Sequence, residues 1–125
     1  MQELHGFYLE DLAVGQTANY AKTITEADVV LFAGISGDDN PVHINAEYAE
    51  QTMFKDRIVH GMFSAALISA VLGTRMPGPG AIYIDQQISF KAPVYIGDTV
   101  TATATVMEIN EQRRRVTLKT VCTKR

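Results

Sequence analysis

Gly61-Met62-Phe63-Ser64-Ala65-Ala66-Leu67-Ile68-Ser69-Ala70-Val71-Leu72 is an apolar run with almost no polar face. A helix that is apolar all round is a buried one, so this stretch predicts one central helix. Gly73 is its expected stop, and Pro77-Gly78-Pro79-Gly80 forces a turn behind it. From there the period changes to two. Ile82, Ile84, Ile88 and Phe90 alternate with Tyr83, Asp85, Ser89 and Lys91, the pattern of a half-buried strand that Ala92-Pro93 interrupts. After Gly97-Asp98, the residues Val100, Ala102, Ala104 and Val106 alternate with threonines and Met107 in a second long strand. Asn110 to Arg114 reads as a connection, and Val116, Leu118, Thr120 and Cys122 form one face of the next strand.

Upstream of the central run the elements are shorter. Met1 to Gly15 reads as an irregular lead-in, and Gln16 to Ile24 as a first strand. Thr25 can cap a short helix whose first turn holds Glu26 and Asp28, with Val29, Val30, Phe32 and Ala33 as its apolar face and Gly37 as its end. Asp38 to Ile44 is expected to be non-helical because Pro41 lacks an N–H and drives Asn40 extended. Asn45 then caps a second helical piece, Ala46 to Gln51. Helices ahead of consecutive strands with tight turns predict an α+β fold, an antiparallel sheet covering a single buried helix.

The 125 residues form one expected domain, 1–125, without repeat or linker. With 46% apolar and 20% charged residues, the composition is that of a soluble globular protein. A net charge of −3 supplies no electrostatic reason for nucleic acid or an anionic membrane as partner. Arg113-Arg114-Arg115 lies between two strands and reads as a solvated turn. The single cysteine, Cys122, excludes an internal disulfide, fits a reducing compartment and reads as a small core hydrophobe. The first residues lack the basic and apolar regions of a signal peptide, and the run to Gly73 is too short to cross a bilayer. A cytoplasmic location is the expectation.

The chemistry-bearing residues flank the central helix. Ser36-Gly37-Asp38-Asp39-Asn40-Pro41-Val42-His43 holds a carboxylate and an imidazole five positions apart, and Val59-His60-Gly61-Met62 opens the helix. Around one water, such a pair does general acid–base work near neutral pH. The same residues also suit a plainer role, Asp38 and Asn40 in Asx turns and His43 as a satisfied loop histidine. Asp39 is expected to face solvent. Gly61 at the first helical turn would leave an outward N–H able to hold a developing oxyanion, or would only relieve a tight contact. His60 reads as an orienting or structural residue, and Ser64 and Ser69 as bonded back to the preceding turn. His5, His43 and His60 are scattered along the chain without metal-site spacing, so no metal is expected. Neither a nucleophile elbow nor a phosphate-binding glycine loop is present.

Taken together, Ser36-Gly37-Asp38-x-Asn40-Pro41-x-His43, Ile58-Val59-His60-Gly61-Met62, Gly80-Ala81-Ile82-Tyr83, Ser89-Phe90-Lys91-Ala92-Pro93-Val94 and Gly97-Asp98 resemble the MaoC-like, (R)-specific enoyl-CoA hydratases of the hot-dog superfamily. The resemblance runs from about Phe7 to Cys122. It implies a hot-dog fold, with the sheet wrapped around a long helix and two copies paired edge to edge as a homodimer. It implies reversible syn hydration of a trans-2-enoyl thioester to the (R)-3-hydroxyacyl thioester, on coenzyme A or an acyl-carrier protein, without cofactor or metal. By position Asp38 would be the base toward water and His43 its partner in delivering a proton to the α carbon. Gly61 would give its N–H to the thioester oxygen and Ser69 would support the loop pair, with Asn40 and His60 as further supporting residues. Such relatives continue for another strand past the one matching Val116 to Cys122, so the resemblance also implies a sheet one strand short. A hot-dog thioesterase and a non-catalytic acyl-thioester binding module are the alternatives. Small Ala65, Ala66 and Ala70 beside bulky Met62, Phe63 and Leu67 suggest short to medium acyl chains.

Overall fold

The computed structural model describes residues 3–124. Residues 1 and 2, at the start of the expected lead-in, and residue 125 lie outside that range. The elements follow in the order β1 (Thr17–Thr23), α1 (Glu26–Ser36), α2 (Pro41–Ile44), α3 (Ala46–Glu50), α4 (Gly61–Thr74), β2 (Thr99–Asn110) and β3 (Arg115–Lys124). No helix among the described residues is long and apolar enough to cross a membrane.

The three strands form one antiparallel sheet in the order β1-β2-β3. β1 reaches across the helices to pair with β2, Tyr20 opposite Ala102 and Ala18 opposite Ala104. Between Val106 and Glu108 the β2–β3 register shifts, a bulge that increases twist. Val100, Ala102, Ala104 and Val106 are all buried, and the first three meet Leu67, Ile68 and Val71 of α4. Small alanines in the middle of β2 let the helix seat close to the sheet, where dense packing maximises dispersion contacts. A second cluster, Leu12, Met76 and Val106, closes the far end of the helix against Val116 and Leu118.

α1 begins as expected. Thr25 accepts from the Asp28 N–H at 3.1 Å while the Asp28 carboxylate accepts from the Thr25 N–H at 2.9 Å, a reciprocal cap. It ends on Gly37 with φ of 80°, a left-handed conformation that favours glycine. Of its expected apolar face Val29 and Ala33 are buried, but Val30 points outward.

Four sequence expectations need correction. The Pro41 segment does make a helical turn, because proline at the first helical position loses only an N–H that would have no partner there. α4 runs through Gly73 to Thr74, since a glycine near a helix end costs little when the preceding turns are packed. α4 is not buried all round: Met62, Ala66, Ser69 and Gly73 form an exposed stripe because the sheet covers one side only. The alternating segment from Ile82 to Phe90 is unpaired and exposed rather than a strand. Alternation marks a side-chain pattern, but a strand also needs a neighbouring backbone.

One junction fixes where α4 starts. The Val59 N–H donates to the Val94 carbonyl at 2.7 Å, and Ile58 bridges Tyr95. The Ile24 N–H in turn donates to Asp98 O at 2.9 Å, and Gly97 N–H to Ile24 O at 2.8 Å. These bonds tie the N-terminal end of α4 to the start of β2 and to the end of β1.

Candidate active site

Asp38 follows the left-handed Gly37 and is held by short-range bonds. The Ser36 hydroxyl accepts from the Asp38 N–H at 3.1 Å, and Asp38 Oδ1 accepts from the Asn40 N–H at 3.3 Å. Asn40 caps α2, its Oδ1 accepting from the Val42 N–H at 3.1 Å. These are the Asx turns that the plainer sequence reading expects. They also set up the site, because one turn of α2 carries His43 back beside Asp38. His43 Nε2 lies 4.0 Å from Asp38 Oδ2, with the imidazole buried and the carboxylate about half exposed. Asp39 faces solvent as expected.

The ring of His43 is oriented from behind. Its Nδ1 lies 2.8 Å from the Ile58 carbonyl, which can only accept, so Nδ1 carries a proton and the neutral ring turns the Nε2 lone pair toward Asp38. Arg57 donates from Nε to the His43 carbonyl at 2.6 Å and from Nη1 to both Glu26 oxygens, at 2.8 and 2.6 Å. Arg57 thereby ties the His43 backbone to α1. Nothing in the sequence around Arg57 marks it as a support.

His60 is stacked on His43, ring centroids 3.8 Å apart at 25°, and is 2% exposed. Two of the three histidines that are scattered in sequence therefore meet in space. Phe32 of α1 packs edge-on against His60 at 4.8 Å. Asp38, His43 and His60 place one ligand-capable atom each within 4.8 Å of one another, a grouping that could hold a cation. Two of the four imidazole nitrogens, however, already face backbone carbonyls.

Gly61 is the first residue of α4, and no group among the described residues accepts from its N–H. A Cβ at Gly61 would stand 2.8 Å from the Phe90 ring, so only glycine fits under that ring as it lies. Gly61, Asp38 and His60 line one cleft of about 530 Å³ with Met53, Phe54 and Phe90. Met62 also lines it, whereas Ala65 and Leu67 face the core, so the expected acyl-length pattern is not a wall of the cleft. Ser69 is not brought to the pair: it lies exposed on the outer stripe of α4, off the cleft. A separate hollow of about 610 Å³ on the sheet, around Thr99, Thr101 and Thr123, contains no acid–base pair.

A helix laid on an antiparallel sheet, with the glycine that opens it and the carboxylate of a carboxylate–imidazole pair lining one cleft, defines a hot-dog protein whose groups suit acid–base chemistry on a carbonyl compound. Residues 12–124 match the model of the MaoC-like domain. The chain is 60% identical over 116 residues to the (R)-specific enoyl-CoA hydratase of Rhodospirillum rubrum, covering 93% of this chain and 81% of that one. It is 51% identical over 122 residues to the 3-hydroxybutyryl-CoA dehydratase of Methylorubrum extorquens, covering 98% and 78%. Among solved structures it superimposes on the unliganded (R)-hydratase PhaJ1 of Pseudomonas aeruginosa with a TM-score of 0.91, at 45% identity, covering 97% of this chain and 77% of that one. The chain belongs to the MaoC-like family.

Proposed function

We propose that this protein is an (R)-specific enoyl-CoA hydratase, adding water reversibly and syn to trans-2-enoyl-CoA to give (R)-3-hydroxyacyl-CoA. The observation that carries the reading is the 4.0 Å separation of Asp38 and His43, with Asp38 and Gly61 lining one cleft and His43 buried behind it. Two hydrogen bonds of ordinary length, ~2.8 Å, from one water oxygen would span that gap at an angle of roughly 90°, close to the water's own. Such a water gives both hydrogens to acceptors and turns a lone pair toward C3 of the enoyl group. Asp38 takes a proton as the C3–O bond forms. The electron pair of the double bond moves toward the thioester oxygen, which the Gly61 N–H and the positive end of α4 stabilise. The Asp38–His43 pair then returns a proton to C2 from the same side. One water is consumed, addition is syn, and the site ends as it began. Asn40 and His60 hold the pair in place.

We further propose that the protein works as a homodimer. Ile82, Ile84, Ile88 and Phe90 form an exposed apolar ribbon, and β3 offers an open edge. Unpaired edges and apolar ribbons of this kind are covered in stable proteins. A single half-buried Cys122, its thiol pushed up by burial, fits a cytoplasmic, reducing setting.

Incubation with crotonyl-CoA, following loss of the conjugated enoyl absorbance, tests the activity. Hydration to the (R)-3-hydroxy product is the expected result. Inactivity on every trans-2-enoyl-CoA from about four to twelve carbons would overturn it, and release of free thiol from a saturated acyl-CoA would point to a thioesterase instead.

A further inference from the structure

His60 occupies the N-cap of α4, yet its side chain caps nothing. Serine, threonine, aspartate or asparagine would satisfy a free helix N–H at that position, so helix stability does not explain a histidine there. The ring instead touches both members of the acid–base pair. Its Nε2 lies 2.8 Å from the main-chain carbonyl of Asp38, and its face is stacked at 3.8 Å on the ring of His43. A carbonyl oxygen only accepts, so Nε2 carries the proton, and Nδ1 is buried with no hydrogen-bond partner among the described residues. A buried nitrogen without a partner is uncommon and points to a requirement elsewhere on the ring.

We infer that His60 is a positioning residue, which sets the Asp38–His43 separation by holding the Asp38 peptide with its Nε2–H and backing the His43 ring with its face. The inference rests on the hydratase reading. Asp38 needs such a hold. Its side chain is about half exposed, and among the described residues the Ser36 hydroxyl holds its N–H and His60 its carbonyl. His43 is held at its Nδ1 by Ile58 and at its carbonyl by Arg57, itself paired with Glu26, but its ring face is backed by His60. The two histidines therefore carry opposite tautomers, Nδ1–H on His43 and Nε2–H on His60. Phe32, edge-on to His60, keeps that ring from turning.

Two substitutions separate the two contacts. His60→Phe keeps a ring against His43 and loses the N–H to Asp38, while His60→Gln keeps an N–H donor and loses the stack. His60→Phe is expected to lower kcat on crotonyl-CoA at least tenfold with KM within about twofold, and His60→Gln to stand several-fold above His60→Phe. A kcat for His60→Phe within twofold of the unsubstituted protein would overturn the inference, as would kcat and KM failing together with a collapsed melt in both variants. A long-range ¹⁵N–¹H correlation spectrum of the unsubstituted protein gives an independent reading: Nε2–H on His60 and Nδ1–H on His43 are expected. Nδ1–H on His60 would overturn it even if neither variant folds. Absence of hydratase activity in the unsubstituted protein would sink the hydratase reading and with it the positioning role.

Discussion

His43 Nε2 faces Asp38 Oδ2 across 4.0 Å, too far for a direct hydrogen bond and the right span for a shared water. The spacing exists because Asn40 caps a single helical turn started by Pro41, which returns the imidazole toward the carboxylate five residues earlier.

Removing either acid–base group should stop turnover without unfolding the protein. Asp38→Asn and His43→Gln are each expected to lower kcat by about 10²–10⁴, the usual worth of a general acid–base group. The melting temperature should move by only a few degrees, because Asp38 is half exposed and glutamine can still donate to the Ile58 carbonyl. Steady-state kinetics with thermal melts checks both.

Gly61→Ala puts a methyl against the Phe90 ring, 2.8 Å away, beside the donor proposed for the oxyanion. A fall in kcat/KM of roughly tenfold is expected: alanine keeps the N–H, and the methyl crowds the approach to it, weakening part of what a whole oxyanion donor supplies. Phe90 is mostly exposed and can swing aside, so stability should change little. The double variant with Phe90→Ala should recover activity if the methyl acts only by displacing the ring.

Arg57→Met leaves the His43 carbonyl without its donor and Glu26 without its partner. The cost should be about 1–2 kcal/mol, mostly from the inner contact, since Glu26 is exposed and its pairing contributes little. Chemical denaturation measures the loss, and kcat should fall several-fold as the His43 backbone loosens.

Two carboxylates give stability a pH dependence. The Tyr95 N–H holds Asp98 below the usual carboxylate range, burial opposing it and Lys124 adding to it. Burial raises Asp28, but the Thr25 bonds and Lys22 outweigh it and leave it lowered. A folded pKa below the unfolded one, about 3.9 for aspartate, contributes stability that is complete above the unfolded value and lost as pH falls through the folded one. The melting temperature should therefore decline on acidification below about pH 4, and Asp98→Asn with Asp28→Asn should flatten that decline.

The exposed ribbon carries the dimer proposal. Ile84→Lys together with Ile88→Lys should shift sedimentation velocity from a dimer to a monomer. A protein that sediments as a monomer before substitution removes the proposal.

Much of this protein was legible in residue order. The capping pair Thr25–Asp28, the left-handed Gly37, the alternation of β2 and β3 and the opening of α4 at Gly61 are local effects of backbone sterics, caps and hydrophobic period. The motifs around Asp38, His43 and Gly61 carried the family resemblance. Other features needed a partner distant in sequence. The segment from Ile82 to Phe90 has a strand's pattern but no adjacent backbone, and α4 is apolar all round yet covered on one side.

The site divides the same way. Sequence by itself determined the α+β class and the glycine at the head of the helix, which depend on local chain geometry, and it offered the Asp38–His43 pair beside a plainer turn reading that only the family resemblance set aside. Only the tertiary structure decided that His60 stacks on His43 and grips Asp38, that Arg57 ties His43 to Glu26, and that Ser69 faces away. Those contacts join residues 14 to 31 positions apart, and such distances close only when the sheet seats the helix.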